Sequence, residues 1–199
     1  VFVVSATFAG TSFLVQRLVM LPGFEQAEHS ETQDDLARCA QALARDSEFL
    51  SRNAADYARW NDTYRLIMDR NAEYIAGNLM PETFRNLKLN LLMFVRADGT
   101  LVWAEIRKNN AEELVDAPDI LKGIARPDHV LVAYKETDAR VSGVLMTSLG
   151  AMLIGSKPIT TSNGEGPIRG AVIMGRLFDE GAIKELVEQT RVSTRFWPI

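Results

Sequence analysis

The chain reads as an α+β domain: a long, largely polar N-terminal helix, then an antiparallel sheet that needs cover on both faces. Three observations predict it. After Pro22-Gly23 no Pro or Gly occurs until Gly77, and Leu36, Leu43 and Leu50 recur every seven residues within that stretch. From Leu89 the apolar period changes to two, and Leu91–Val95 and Leu101–Ile106 flank the turn Ala97-Asp98-Gly99-Thr100. Further on, both alternating faces are apolar: Val172, Met174 and Phe178 on one side, Ala171, Ile173 and Leu177 on the other.

Composition narrows the class. The 199 residues suffice for one domain with a sizeable core and an appendage, and 47% hydrophobic with 24% charged residues is ordinary globular usage. A net charge of -4 implies no global attraction to nucleic acid or acidic lipid. The single cysteine, Cys39, excludes an internal disulfide and argues against cysteine-based zinc or redox chemistry. In an oxidising compartment it is left to pair between chains or to serve as a small buried hydrophobe.

Residues Val1 to Val15 carry no charge, yet fall short of the ~20 apolar residues that a membrane span needs. Residues 1–22 are expected to be the outer end of a transmembrane helix and its exit, the alternative being an ordinary buried helix. The second segment, 23–80, is expected to be one long signalling and dimerisation helix. Its leucines hold heptad position d, while Gln33, Ala40, Ser47 and Ala54 hold the other seam position. The stripe Leu36, Leu43, Leu50 is the expected seam of a parallel homodimer. Pro81 then opens a short helical turn. Residues 81–199 hold the sheet core, against which helix 23–80 packs as one domain. Within it, Ala111 to Ile124 is expected to form short helices interrupted by Pro118. Strands are expected at Val130–Tyr134, Gly143–Ser148, Ala151–Ile159 and Ile168–Phe178. Asp179 is placed to cap a final helix, Glu180–Thr190, and Ser193–Ile199 to add an edge strand.

Between Asp56 and Tyr64 the chain packs Tyr57, Trp60, Asn61 and Asp62 into little more than two helical turns. Indoles and phenols need partners for their polar tips, and a carboxylate at Asp62 needs donors. Asp56, Ala58, Trp60, Asp62 and Tyr64 resemble the D-x-A-x-W-D-D-x-Y signature of the CHASE4 family of extracytoplasmic sensor domains in bacterial signalling proteins. The likeness continues through Asn71, Tyr74, Ile75, Asn78 and Leu79, Leu87 to Leu91, and the Asp98-Gly99 turn. Upstream, Arg17 to Glu25 resembles the way such domains leave the membrane. Asn61 stands where the family usually has an acid, so a cation or amine held by that acid would be bound differently here. With the element order, the resemblance implies a PAS-like or single-Cache sensor fold. It also implies an inner-membrane protein whose sensing domain is periplasmic or extracellular. A cytoplasmic output, a histidine kinase or a cyclic-di-GMP enzyme, is implied beyond this chain.

Enzyme signatures are absent. His29 and His129 lie far apart, no serine sits in G-x-S-x-G, and Cys39 has no neighbouring His. No catalytic residue, metal or cofactor is expected. A small-molecule ligand is expected between the sheet and the helical insert. Trp103 and Tyr134 are candidate pocket walls, the alternative being plain core. Arg176 is a candidate anchor for a carboxylate, the alternative being an edge-strand charge; Lys157 poses the same choice. The signature residues Asp56, Trp60, Asp62 and Tyr64 are expected to pin helix to sheet, the alternative for Trp60 and Asp62 being ligand contact, with Trp60 in the core and Trp60→Ala costing ~3–5 kcal/mol. The competing reading of the whole is a protein-interaction or mechanical-sensing module without a small ligand.

Overall fold

The computed structural model describes Phe13 and residues 21–192. Apart from Leu21 and Pro22, with which the first helix begins, the expected membrane exit lies outside the described residues. So does the expected edge strand Ser193–Ile199. Among the described residues no helix is long and apolar enough to cross a membrane.

Helix α1, Leu21–Ala58, is followed by α2 (Asn61–Asp69), α3 (Ala72–Asn78) and α4 (Pro81–Asn86). The expectation of one helix over 23–80 is therefore corrected to three helices, then α4. The breaks have local causes. Trp60 is extended (φ -82, ψ 133) ahead of α2. Arg70 adopts the left-handed conformation (φ 55), its N–H bonding Leu66 O at 2.9 Å. Asn71 then starts α3 afresh, its side chain accepting from the amides of Glu73 and Tyr74. Pro81 stands at the start of α4, where its missing N–H costs nothing.

Six strands form one antiparallel sheet: β1 (Leu91–Arg96), β2 (Leu101–Lys108), β3 (Glu113–Leu114), β4 (Val141–Thr147), β5 (Gly150–Ile159) and β6 (Gly170–Leu177), in the order β3-β2-β1-β6-β5-β4. The 97–100 hairpin forms as its sequence predicts, with Leu91 opposite Ile106 and Phe94 opposite Trp103. A bulge then brings Val95 opposite Leu101. Between β3 and β4 lies α5 (Pro118–Ile124). Pro118 begins this helix instead of interrupting it. The expected strand Val130–Tyr134 is a pair of turns, because the His129 carbonyl accepts the amides of both Val132 and Ala133 at 2.8 Å. The last helix, α6 (Glu180–Thr190), is capped by Asp179, whose Oδ1 accepts the Ala182 amide at 2.9 Å.

The described chain divides into two compact units. One comprises the stretch up to Ala42 together with that from Leu186; the other is Leu43–Glu185. In the first, Leu36 is exposed while Cys39 and Ala42 are buried. The second contains the sheet, covered on both faces. On one face Leu92, Phe94, Leu153, Val172 and Met174 meet Leu50, Ala54 and Ala58 of α1, Leu66 and Ile67 of α2, and Phe84 of α4. On the other, Leu91, Met93, Val95, Met152, Ile154 and Ile173 lie beneath Ile120, Ile124, Leu131 and Val132 of the insert. Leu50 is 1% exposed and belongs to this core. Leu43 packs against the same core, so the expected dimer stripe Leu36-Leu43-Leu50 is not a continuous exposed surface.

Candidate functional site

The signature segment forms the elbow between α1 and α2. Tyr57 and Trp60 stack with ring centroids 4.6 Å apart. The indole is 40% exposed, which corrects the expectation that Trp60 is a core residue. An extended residue between two helices carries its side chain along the surface, where the Tyr57 ring covers one indole face. Asp56 and Asp62 are exposed, Asp62 facing Arg65 at 3.5 Å. What ties the elbow to the sheet is polar. The Thr160 amide donates to Ala58 O at 3.1 Å, and the Ser162 amide donates to Asn61 Oδ1 at 3.1 Å. Arg169 Nε donates to the Tyr64 hydroxyl at 2.8 Å. Beneath the elbow the hydroxyls of Thr63 and Tyr74 share a buried 2.6 Å hydrogen bond. Burial pushes the Tyr74 pKa up to about 12, so this pair stays neutral and fully hydrogen-bonded.

Trp103, Tyr134 and Arg176 do not converge. Trp103 lies on the α1 face, 6.0 Å from Phe94 and 6.5 Å from Phe84 between ring centroids. Simple alternation from Leu101 puts it on the insert face with Tyr134; the bulge at Val102 reverses that parity. Arg176 also lies on the α1 face, donating to Asp46 at 3.3 Å and to Glu185 at 2.6 Å, while Lys88 holds Glu185 at 3.0 Å. Hydrogen bonds from Arg176 and Lys88 lower the Glu185 pKa. A cavity of about 280 Å³ adjoins this cluster, lined by Phe84, Leu89, Asn90 and Ala111 among others. Since two carboxylates already match the guanidinium, an acid ligand would have to displace one of them.

Tyr134 belongs to the insert face. Its hydroxyl is shut off from solvent without a well-formed hydrogen bond, and burial raises its pKa, opposed by Ser156 and the Val141 backbone. The ring lines a groove of about 460 Å³ together with Val130, Ala133, Ala139, Arg140 and Val141. A second opening on this side, about 340 Å³, lies between α5 and the β4–β5 turn and includes Asp119, His129, Leu145 and Ser148. His129 Nδ1 accepts the Leu131 amide at 3.3 Å, which favours the neutral ring. Burial, and next Arg126, lower its pKa. No group of three or more His, Cys, Asp or Glu is placed to hold a metal ion among the described residues.

Sequence reasoning passed over Ser156 and Arg140. Ser156 Oγ donates to Leu131 O at 2.8 Å beneath the insert. Arg140 lines the Tyr134 groove and also reaches Glu48 of α1 at 3.5 Å. A polar residue in an apolar strand was the available signal for Ser156. Arg140, in an irregular connection, offered none.

An antiparallel sheet with a helical insert over one face and helix α1 over the other defines the class: a two-sided α+β domain. Solved structures agree on the fold. The sensor domain of the V. cholerae histidine kinase DctB is similar at TM-score 0.58 and 7% identity, covering 84% of this chain and 61% of that one. The extracellular domain of the proposed histidine kinase vpHK1S-Z8 is similar at TM-score 0.57 and 13% identity, covering 84% and 63%. In sequence, the methanogenesis regulatory histidine kinase FilI of Methanothrix harundinacea (strain 6Ac) is 29% identical over 153 residues. That match takes in 77% of this chain but only 17% of FilI. The CHASE4 domain family model matches residues 42–197, and the chain belongs to the CHASE4 family.

Proposed function

We propose that this chain is the extracytoplasmic input domain of a membrane-bound signalling protein, a histidine kinase or a cyclic-di-GMP enzyme. It binds a small molecule between the sheet and the insert and passes the signal through α1. The observation that carries this reading is the Tyr134 groove: a concave, partly apolar site with a buried hydroxyl lacking a well-formed hydrogen bond and charged groups at its rim. Trp103 and Arg176 leave the proposed ligand site, since they occupy the opposite face and Arg176 is already paired. The membrane-anchored protein is a homodimer in this reading. Its contact lies along the exposed part of α1 around Leu36, because Leu50 is taken up by the domain core.

One observation favours a second reading, an input domain that responds to a protein partner or to mechanical state. Directly beneath the insert Met93, Ile124, Val132 and Ile173 are at most 2% exposed, so the central sheet face holds no room for a ligand. The openings on this side, the Tyr134 groove and the one beside α5, lie at its margin. Thermal-shift measurements against short dicarboxylates, amino acids and amines separate the two. The ligand reading expects at least one compound to stabilise the chain, Tyr134→Phe to weaken that response, and Arg176→Ala to retain it. Stabilisation lost in Arg176→Ala but kept in Tyr134→Phe would move the site to the opposite face. No stabilisation by any compound would favour the second reading.

A further inference from the structure

Three consecutive residues of β5 touch both layers of the domain. Gly155 faces α1: a Cβ there would stand 2.7 Å from the Ser51 amide nitrogen and 2.8 Å from the Leu50 carbonyl carbon. Its hydrogen is what admits the helix backbone. Ser156 faces the other way and donates to Leu131 O in the insert. Lys157 turns back to the α1 face and is buried, yet its ammonium bonds backbone rather than a carboxylate: Asp138 O at 2.7 Å and Ala139 O at 3.0 Å.

The ladder explains why a lysine is needed there. Strand β4 begins at Val141, opposite Ser156, so Asp138 and Ala139 have already left the sheet and their carbonyls lack strand partners. Lys157 supplies two donors at once. Burying an ammonium to do so is expensive, and burial, with Arg59 and Arg140 near, lowers its pKa. A position used only to fill space beneath a helix would be served better by Met or Leu. The residue next along the loop, Arg140, lines the Tyr134 groove and pairs with Glu48 of α1.

We infer that Gly155-Ser156-Lys157 is the coupling node of the domain, with Lys157 the positioning residue that joins the groove wall at Ala139–Arg140 to helix α1. The inference rests on the reading of the Tyr134 groove as the input site and says how its occupancy reaches the helix. A molecule in the groove presses on Ala139 and Arg140. Ala139 is held to the α1 face by Lys157, and Arg140 to α1 itself by its pairing with Glu48. Because Gly155 leaves no slack between β5 and the helix, a shift of the loop is carried into α1 instead of being absorbed.

Amide hydrogen exchange on the chain tests the coupling without any ligand. In Lys157→Met the amides of residues 136–141 and those of α1 residues 47–54 should both exchange at least ~10-fold faster, while central β1 amides keep their wild-type rates. Lys157→Arg, which keeps a cation with donors for both carbonyls, should restore both segments together. Should Lys157→Met fail to fold, Lys157→Gln, which keeps donors without charge, is read by the same criteria. A loop that loosens while α1 stays protected overturns the node, as does an unchanged loop. Failure of every compound in the thermal-shift panel would refute the ligand reading and leave coupled exchange standing as the result for the node. Uncoupled exchange beside a ligand response would do the reverse.

Discussion

Replacing Gly155 with alanine tests how closely α1 rides on the sheet. The new methyl would lie 2.7 Å from Ser51 N, 2.8 Å from the Leu50 carbonyl carbon and 3.0 Å from Leu50 Cβ. Carbon contacts are most favourable at about 3.5–4.0 Å, so the helix must back away by roughly 1 Å. The obstructing atoms are mostly backbone, and no side-chain rotation relieves them. Overpacking of this kind costs about 1–3 kcal/mol, offset by about 0.4–1 kcal/mol from the reduced freedom of the unfolded chain. The net loss is thus about 0–2.6 kcal/mol, or a Tm lower by up to roughly 10 °C for a domain of this size. The control is Gly123→Ala in α5, where a Cβ meets nothing within 4 Å. That change should leave Tm unchanged or raise it, since alanine favours a helix over glycine by up to about 1 kcal/mol. Calorimetry on the two variants reads the difference. A Gly155→Ala protein more stable than wild type would refute the close approach, and with it the account of how the insert acts on α1.

Two further outcomes follow from the site. Trp60→Ala should cost about 1–2 kcal/mol, the stacking on Tyr57 plus partial burial, well below a core truncation; urea denaturation checks it, and a loss of about 3–5 kcal/mol would return the indole to the core. His129 has a folded pKa below the ordinary 6.5. Between the folded value and 6.5 the unfolded chain binds more protons, so stability should fall as pH drops through that window, and His129→Gln should flatten the slope between about pH 7 and about pH 5. The charges of Arg126 and Asp128 act on the ring in opposite directions, and Asp119, whose pKa a Ser148 hydrogen bond lowers, lines the same opening.

Much of the fold was legible because it rests on period and turn chemistry. The 97–100 hairpin, the apolar faces of β6, Pro81 at a helix start and the Asp179 cap each follow from a few adjacent residues. The helix breaks were not, since they depend on a left-handed Arg70 and an extended Trp60, residue types that signal neither state. The candidate site was the least legible part. Trp103, a candidate wall of the insert-side pocket, lies on the α1 face after one bulged residue, and a single-residue shift is invisible to a period-2 pattern. Between an inward cation and an edge-strand charge, the sequence pattern at Arg176 does not choose; the structure turns its side chain toward Asp46 and Glu185. Its partners Asp46 and Glu185 come from 130 residues before it and 9 after it, so its neutralisation could not be seen.

The heptad of α1 carries the broader lesson. Leucines at 36, 43 and 50 with small residues between them fit a helix that meets another helix, and they fit equally a helix that meets a sheet. The register decides which. Ala54 and Ala58 are fully buried, Ser51 is 3% exposed, and the backbone at Leu50–Ser51 meets Gly155 with no side chain between. The small residues therefore serve approach to β5, because only a helix face trimmed to Ala and Ser can bring its backbone against a glycine in a strand. Leu50 fills the core beside that contact, and Leu43 extends it. Of the three leucines, Leu36 is 65% exposed. One seven-residue repeat thus runs from an exposed position to a fully buried one along a single helix. From Leu43 onward α1 belongs to the sensor core; toward its N-terminus, around Leu36, an apolar side chain is left facing solvent.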